Sequence, residues 1–508
     1  VLFINPVIRE EDDPRHVPYG MALLAAIVMQ AGHLVQVFDA NAWRAGDSVL
    51  AQVLRADRWD VVATGGITTA YRSIKQIVAM AKELAPQALV VAGGGFLTSM
   101  PHDIMRFLPQ VDVGVVGEAF VSFPELLRRV DAGNRDWAAV PGLVWRDAEG
   151  RSRLSPEQPL LQELDRLPYP AWELFPLDIY FKNSMALFSE EGMLARRRLD
   201  VNASYGCSLI CRFCFHLGIA GDLRHVDGPG GERDVTFTYD RNIRWHSPRY
   251  VVDLVKYARA RFGVDFIGFL DENLMTMHQF SGKKWLTEIA RLWIEEGLQP
   301  QCVRDGVPHE PERCSGVHWG GTSHATLCSP EVLRAIKQAG CSHLVYGYES
   351  FSARVLKTIG KGATPETNER SLRWTLEAGI RPIPNQMIGF PDEDFDSLRD
   401  NVRAWNRLGL VVKPFFATPY PGTEWYYTNK ARILEQYGGD LEAFLLDVGD
   451  ATRITAVISR KFNRVELYGL RELMVNRDLR RIDEYEREWN RLHAPAAAGD
   501  PVPGGQRA

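Results

Sequence analysis

Ser204-Tyr205-Gly206-Cys207-Ser208-Leu209-Ile210-Cys211-Arg212-Phe213-Cys214-Phe215-His216 is the stretch from which the rest of this 508-residue chain is read. Its cysteines recur as C-x3-C-x2-C, with the aromatic Phe213 just before the third. Thiolates are soft donors that hold iron–sulfur clusters. A four-iron cubane held by three thiolates keeps one iron open to a further ligand, whereas electron-transfer ferredoxins ordinarily close all four. The competing reading is a structural zinc site with His216 as fourth ligand, although zinc more often takes C-x2-C pairs. The remaining cysteines, Cys302, Cys314, Cys328 and Cys341, show no ligand-like spacing and read as buried small hydrophobes.

Outward from this loop, composition narrows the class. The length suits two or three domains with full cores. A hydrophobic content of 45% and a charged content of 24% are those of an ordinary soluble globular protein. The net charge of −5 gives no reason to expect a nucleic-acid partner. Seven cysteines in so long a chain argue for a reducing compartment, and cytoplasmic localisation is expected. No apolar run is long enough to span a bilayer. The opening Val1-Leu2-Phe3-Ile4-Asn5-Pro6 lacks a basic region and reads as a strand, not a signal peptide, with a few residues missing before it. Residues 494–508, rich in Ala, Pro and Gly, read as a disordered tail.

Residues 1–135 alternate short apolar strands (Val1–Asn5, Val35–Asp39, Val61–Thr64, Leu89–Ala92, Val113–Val116) with amphipathic helices, which predicts a doubly wound parallel sheet. Ligands of such sheets sit beyond the carboxyl ends of the strands. There the chain places Gly65, Gly66 and Thr68, then Gly93 and Gly94, then Gly117 and Glu118. Glycine admits close approach of a large planar ligand. No G-x-G-x-x-G opens the first helix, so a nicotinamide cofactor is not expected.

Residues 136–197 read as an ordered strap, with Leu164-Asp165-Arg166-Leu167-Pro168-Tyr169-Pro170-Ala171-Trp172 at its centre. From 198 to 428, strand–helix units return. Polar residues follow the strands: Asp271-Glu272-Asn273, Gly320 to His324, Glu349-Ser350, Gly389 to Glu393 and Ala417 to Thr423. Six such units predict a partial parallel (β/α)6 barrel with its chemistry at the carboxyl-end face. Residues 217–246 and 300–316 read as loop insertions, and 429–493 as a small, charged helical region.

The cysteine triad resembles that of the radical S-adenosylmethionine (radical SAM) superfamily. Gly347-Tyr348-Glu349-Ser350, Gly389-Phe390-Pro391-Asp392-Glu393 and Pro419-Tyr420-Pro421-Gly422-Thr423 resemble its later elements in order. Pro18-Tyr19-Gly20, Asp39-Ala40-Asn41 and the glycine pairs resemble the cobalamin-binding domain fused to many of these enzymes. The resemblance implies a [4Fe–4S] cluster on Cys207, Cys211 and Cys214, with SAM on the open iron. It implies SAM-side contacts from Phe213, Glu349 and Ser350, and cobalamin contacts from Tyr19, Gly65, Gly66, Thr68, Gly93, Gly94, Gly117 and Glu118. Asp271 and Glu272 are read either as contacts to SAM or substrate or as caps of the following helix. Family members that bind cobalt through histidine carry D-x-H-x-x-G; here Asp12-Asp13-Pro14-Arg15-His16-Val17 departs from it, so His16 reads as a loop residue.

The implied activity is anaerobic. A 5′-deoxyadenosyl radical and methylcobalamin would together methylate an unactivated carbon, less often phosphorus, of a small metabolite. A flavodoxin or ferredoxin would donate the electrons. An oxidative cyclase or ring-rearranging enzyme is the rival within enzymes. A non-catalytic cluster or cobalamin carrier is the rival of another class.

Overall fold

The computed structural model describes residues 1–183, 189–215, 223–227, 233–237 and 242–493. Strands β1 (Leu2–Asn5), β2 (Gln36–Asp39), β3 (Val61–Gly65), β4 (Leu89–Gly93) and β5 (Val113–Val115) form a parallel sheet. Its order, β2-β1-β3-β4-β5, reverses direction at β1 and β3. Near-continuous apolar runs such as Val61-Val62-Ala63 suit strands covered by helices on both faces. The sheet continues into residues that the sequence suggests are strap: β6 (Leu143–Arg146) and β7 (Ser152–Leu154) add to β5 antiparallel. Their signal is weak because each is three or four residues long and interleaved with Arg, Asp and Glu.

The second sheet is parallel throughout, in the order β17-β16-β15-β14-β13-β8. Its strands are β8 (Arg198–Val201), β13 (Phe266–Phe269), β14 (His318–Ser323), β15 (Cys341–Glu349), β16 (Arg381–Ile388) and β17 (Phe415–Phe416). Between β8 and β13 lie β9 (Ser204–Tyr205), β10 (Leu223–Asp227), β11 (Arg233–Phe237) and β12 (Arg244–Trp245), which pair as β9 with β12 and β10 with β11. The expected half-barrel is therefore present, with sequential neighbours throughout.

Glycines read as loop residues lie inside β14. A Cβ on Gly320 would sit 2.1 Å from the His343 ring, and one on Gly321 2.7 Å from Leu274 Cδ1. Small residues are required there because both faces of the strand are crowded, so composition understated its length.

The strap and the C-terminal helices join the two sheets. Trp172 is fully buried against Tyr257 and Phe262, and Ala171 N–H donates to Ala22 O at 3.0 Å. Val17, Tyr19, Ala22 and Leu23 belong to the same apolar cluster as the barrel core. Helices Glu424–Gln436 and Leu441–Asp447 fold back onto the first sheet, where Glu442 accepts from Tyr71 Oη at 2.6 Å. Helices Arg464–Val475 and Leu479–Leu492 instead cover the barrel through Leu467, Leu470, Met474 and Ile482. Among the described residues no helix is long and apolar enough to cross a membrane. The segment read as a tail lies outside the described residues, as do Arg241, His216 and parts of the 217–246 insertion.

Candidate active site

The cysteine loop leaves β9 at Gly206, whose φ of +99 and closeness to Asn242 O, 2.9 Å from where a Cβ would sit, exclude a side chain. The carboxylates after β13 brace it. Asp271 accepts from Ala203 N–H at 3.0 Å and from the Ser204 hydroxyl, while Glu272 accepts from Gly206 N–H at 2.8 Å. Burial pushes the Asp271 carboxyl up to about 6, against those hydrogen bonds. Capping of helix Leu274–Phe280 falls to Asn273 instead. Asn273 Nδ2 and Thr276 Oγ1 also approach Cys207 Sγ, at 3.8 and 3.9 Å.

The other side of the loop is fastened to the barrel by backbone. Arg212 N–H donates to Ile359 O at 3.1 Å, and Trp425 N–H donates to Arg212 O at 3.2 Å. Phe213 packs against Trp425 with ring centroids 5.5 Å apart. Lys361 Nζ lies 5.4 Å from the Phe213 centroid and 3.0 Å from Glu349 Oε1. Burial lowers the Lys361 pKa, but Glu349 and the Cys211 thiolate more than offset it and hold the ammonium charged. Gly347 makes room for this pair: a Cβ there would lie 2.3 Å from Glu349 Oε1 and 2.8 Å from Lys361 Nζ. Glu349 itself has a φ of +60, a left-handed conformation uncommon outside glycine. Ser350 is turned elsewhere, its hydroxyl donating to Asn401 Oδ1 at 3.0 Å.

The two sheets meet at their carboxyl ends. Phe215, one residue past Cys214, sits 3.0 Å from where a Cβ on Gly95 would be and 2.3 Å from one on Gly422. Ser99 donates to Pro421 O at 3.2 Å, and Tyr427 Oη donates to Ser99 O at 2.8 Å. Glu118 forms a buried ion pair with Arg244, whose β12 is paired to Tyr205 just before the cysteines. Burial raises the Glu118 pKa, and Arg244 opposes that shift. Tyr19 Oη donates to Asn202 O at 3.3 Å, again at this junction.

The glycine pairs pack on one another. A Cβ on Gly65 would lie 2.1 Å from Gly93 O, and one on Gly94, at φ +95, 2.7 Å from Gly66 O. The neighbouring backbone therefore already demands glycine at 65 and 94. Gly117 N–H donates to Thr98 Oγ1 at 3.0 Å, and Thr68 is buried in a short turn. His16 Nδ1 lies 2.6 Å from Asp200 Oδ2. Burial would raise the Asp200 carboxyl, but Arg198 and His16 hold it down at about 2.

These residues fit the groups that the sequence implies. Cys207 and Cys211 are buried and Cys214 half-buried on one loop, a donor set of soft thiols. Burial and the two other thiols push the Cys214 thiol well up, so a bound metal would have to displace its proton. Opposite them, the Gly65–Gly66 and Gly93–Gly94 turns form a crossing free of side chains, a surface that a broad ligand could approach.

Of the other cysteines, Cys302 is buried as expected, whereas Cys314 is only half-buried. Cys302 and Cys314 converge with His309 and His318, their ligand atoms all within 4.8 Å of one another. Gaps of six, four and three residues match no short motif, and the convergence depends on a turn that the sequence does not announce. Cys328 and Cys341 are buried in the barrel core as expected.

Two family models match the chain: the B12 binding domain over residues 7–127 and the radical SAM superfamily over residues 201–404. An uncharacterized methyltransferase of Pyrococcus horikoshii is 27% identical over 419 residues, covering 82% of this chain and 79% of the relative. The anaerobic magnesium-protoporphyrin IX monomethyl ester cyclase of Rubrivivax gelatinosus is 24% identical, covering 87% and 71%. Among solved structures, the fold is similar to the radical S-adenosylmethionine methyltransferase TsrM of Kitasatospora setae, determined with cobalamin and a [4Fe–4S] cluster bound. The TM-score is 0.63 at 17% identity, covering 85% of this chain and 78% of that one.

Proposed function

From the chain's membership of the cobalamin-dependent radical SAM enzymes, we propose that it methylates an unactivated carbon, less often phosphorus, of a small metabolite. Its cofactors are a [4Fe–4S] cluster, SAM and cobalamin. When bound, these supply a carbon-centred radical and a methyl carrier; the protein supplies position and exclusion of water.

In this reading Cys207, Cys211 and Cys214 hold the cluster, and Phe213 with the Lys361–Glu349 pair borders it. Glu349 acts as a positioning group, since Lys361 already engages it. Ser350 supports the turn through Asn401. Cobalamin would be held against Gly65, Gly66, Gly93 and Gly94, bordered by Tyr19, Thr68, Gly117 and Glu118, with no histidine of this chain as its ligand. The departure of Asp12 to Val17 from D-x-H-x-x-G supports that last point; the His16–Asp200 contact engages Nδ1 alone. A flavodoxin- or ferredoxin-type donor supplies electrons.

The observation that carries the reading is the contact of Gly95 and Gly422 with Phe215, beside Cys214. It brings the carboxyl ends of the two sheets together, as radical formation and methyl delivery at one substrate would require. The test uses anaerobically purified protein, reconstituted with its cofactors and given extract with SAM labelled in its methyl group. Labelled product, with both S-adenosylhomocysteine and 5′-deoxyadenosine formed, supports methyl transfer. 5′-Deoxyadenosine with an unlabelled, cyclised product would support the second reading, which the similarity to the cyclase favours.

A further inference from the structure

Cys302, His309, Cys314 and His318 gather around one point with all four ligand atoms within 4.8 Å of one another. The geometry points to a structural zinc site of Cys2His2 type that pins the 300–316 insertion to the start of β14.

Two thiolates and two imidazoles are a zinc donor set, and four protein ligands leave no open position, as in structural sites. Tetrahedral coordination at the usual zinc–sulfur and zinc–nitrogen lengths puts sulfur and nitrogen roughly 3.6 Å apart. Cys302 Sγ lies 3.4 Å from His318 Nε2 and 3.6 Å from His309 Nδ1. The His318 Nδ1 faces Gly340 O at 3.3 Å. Donation of that N–H to the carbonyl fixes the tautomer and leaves the Nε2 lone pair aimed at the sulfurs, the usual outer contact of a metal-binding histidine. The Cys302 and Cys314 sulfurs are 2.8 Å apart, so they must open by about 1 Å around the ion. Binding replaces two S–H bonds with two Zn–S bonds and releases two protons to solvent, with both imidazoles neutral.

The loop's other ties place this site away from the cysteine triad. Gln301 N–H donates to Ser315 O at 2.8 Å, and Arg196 Nη2 donates to Pro311 O at 3.1 Å. His318 opens β14 and Arg196 precedes β8, so the cluster sits at the amino-terminal end of the barrel. That end serves stability in barrels, whereas chemistry occupies the other. Composition alone would give Cys302 and Cys314 to the core, yet His309 and Cys314 are only half-buried in a polar loop.

The test is a metal analysis of the full chain, purified anaerobically with its cluster and cobalamin and then incubated with Zn2+ and desalted. Wild type should retain close to one zinc per chain beyond its iron and cobalt. Cys302→Ser with Cys314→Ser should lose zinc at least tenfold with iron unchanged. The Cys207, Cys211 and Cys214 alanine variant should show the reverse. His309→Ala, in the half-buried loop, gives a second zinc-deficient variant should the double serine protein fail to fold. Zinc-edge absorption should report two sulfurs at about 2.3 Å and two nitrogens at about 2.0–2.1 Å. Zinc-free wild type, zinc retained equally by the serine and His309→Ala variants, or a Cys302–Cys314 disulfide in the anaerobic protein would each overturn the assignment.

Discussion

Lys361→Met removes the countercharge from a carboxylate that is almost wholly buried. Lys361 Nζ and Glu349 Oε1 are 3.0 Å apart, and each side chain is only 8% exposed. At an effective dielectric near 20, that separation corresponds to about 5.5 kcal/mol of attraction. Breaking such a pair from one side costs about 3–5 kcal/mol, a large share of a total of about 5–15. The cost should be unequal between partners. Glu349→Gln leaves the ammonium beside the Cys211 and Cys214 sulfurs, which also hold its charge, so it should destabilise less. Lys361→Met with Glu349→Gln removes both charges and should recover much of the loss. Urea unfolding of anaerobic protein, followed by far-UV circular dichroism, reads the three variants against wild type. A Lys361→Met cost below about 1 kcal/mol, or a double variant whose loss equals the sum of the singles, would refute a coupled buried pair.

Glu393, pushed by burial up to about 8, accepts from Gly389 N–H at 2.6 Å. The native state keeps a proton that the unfolded chain releases near its ordinary value of 4.5. Its contribution is therefore complete below about pH 4.5 and is lost as pH rises through about 8. Glu393→Gln should flatten the fall in melting temperature across that window, and parallel curves would contradict the assignment. Gly94→Ala should weaken cobalamin retention and cost about 1–3 kcal/mol, because its Cβ meets Gly66 backbone; iron content should stay at the wild-type level. His16→Ala should leave the Co(II) EPR hyperfine pattern of the holoprotein unchanged, whereas loss of an axial nitrogen signal would show that His16 binds cobalt. The triple alanine variant of Cys207, Cys211 and Cys214 should hold no cluster and cleave no SAM; either activity surviving would remove the triad from its role.

What could be read from residue order alone was local or periodic. The triad is legible because its three thiols share one loop, so spacing carries the chemistry. Strand and helix order is legible because side chains repeat every second residue in one and every third or fourth in the other. Convergence across the fold has no such signature. Glu118 and Arg244 are 126 residues apart, and nothing in either neighbourhood announces their buried pair. Lys361 reads as one of many surface cations until β15 and the loop after helix Ala353–Thr358 bring it against Glu349 and the cysteines. Asp271 and Glu272 needed β13 beside β8 before their task of bracing the loop was visible. The Cys302 group needed a turn, a short helix and a strand end to meet. Sequence determined which chemistry the chain carries and in what order its elements run. Tertiary packing decided which charges are buried together, because that depends on distances between segments that local propensity does not encode.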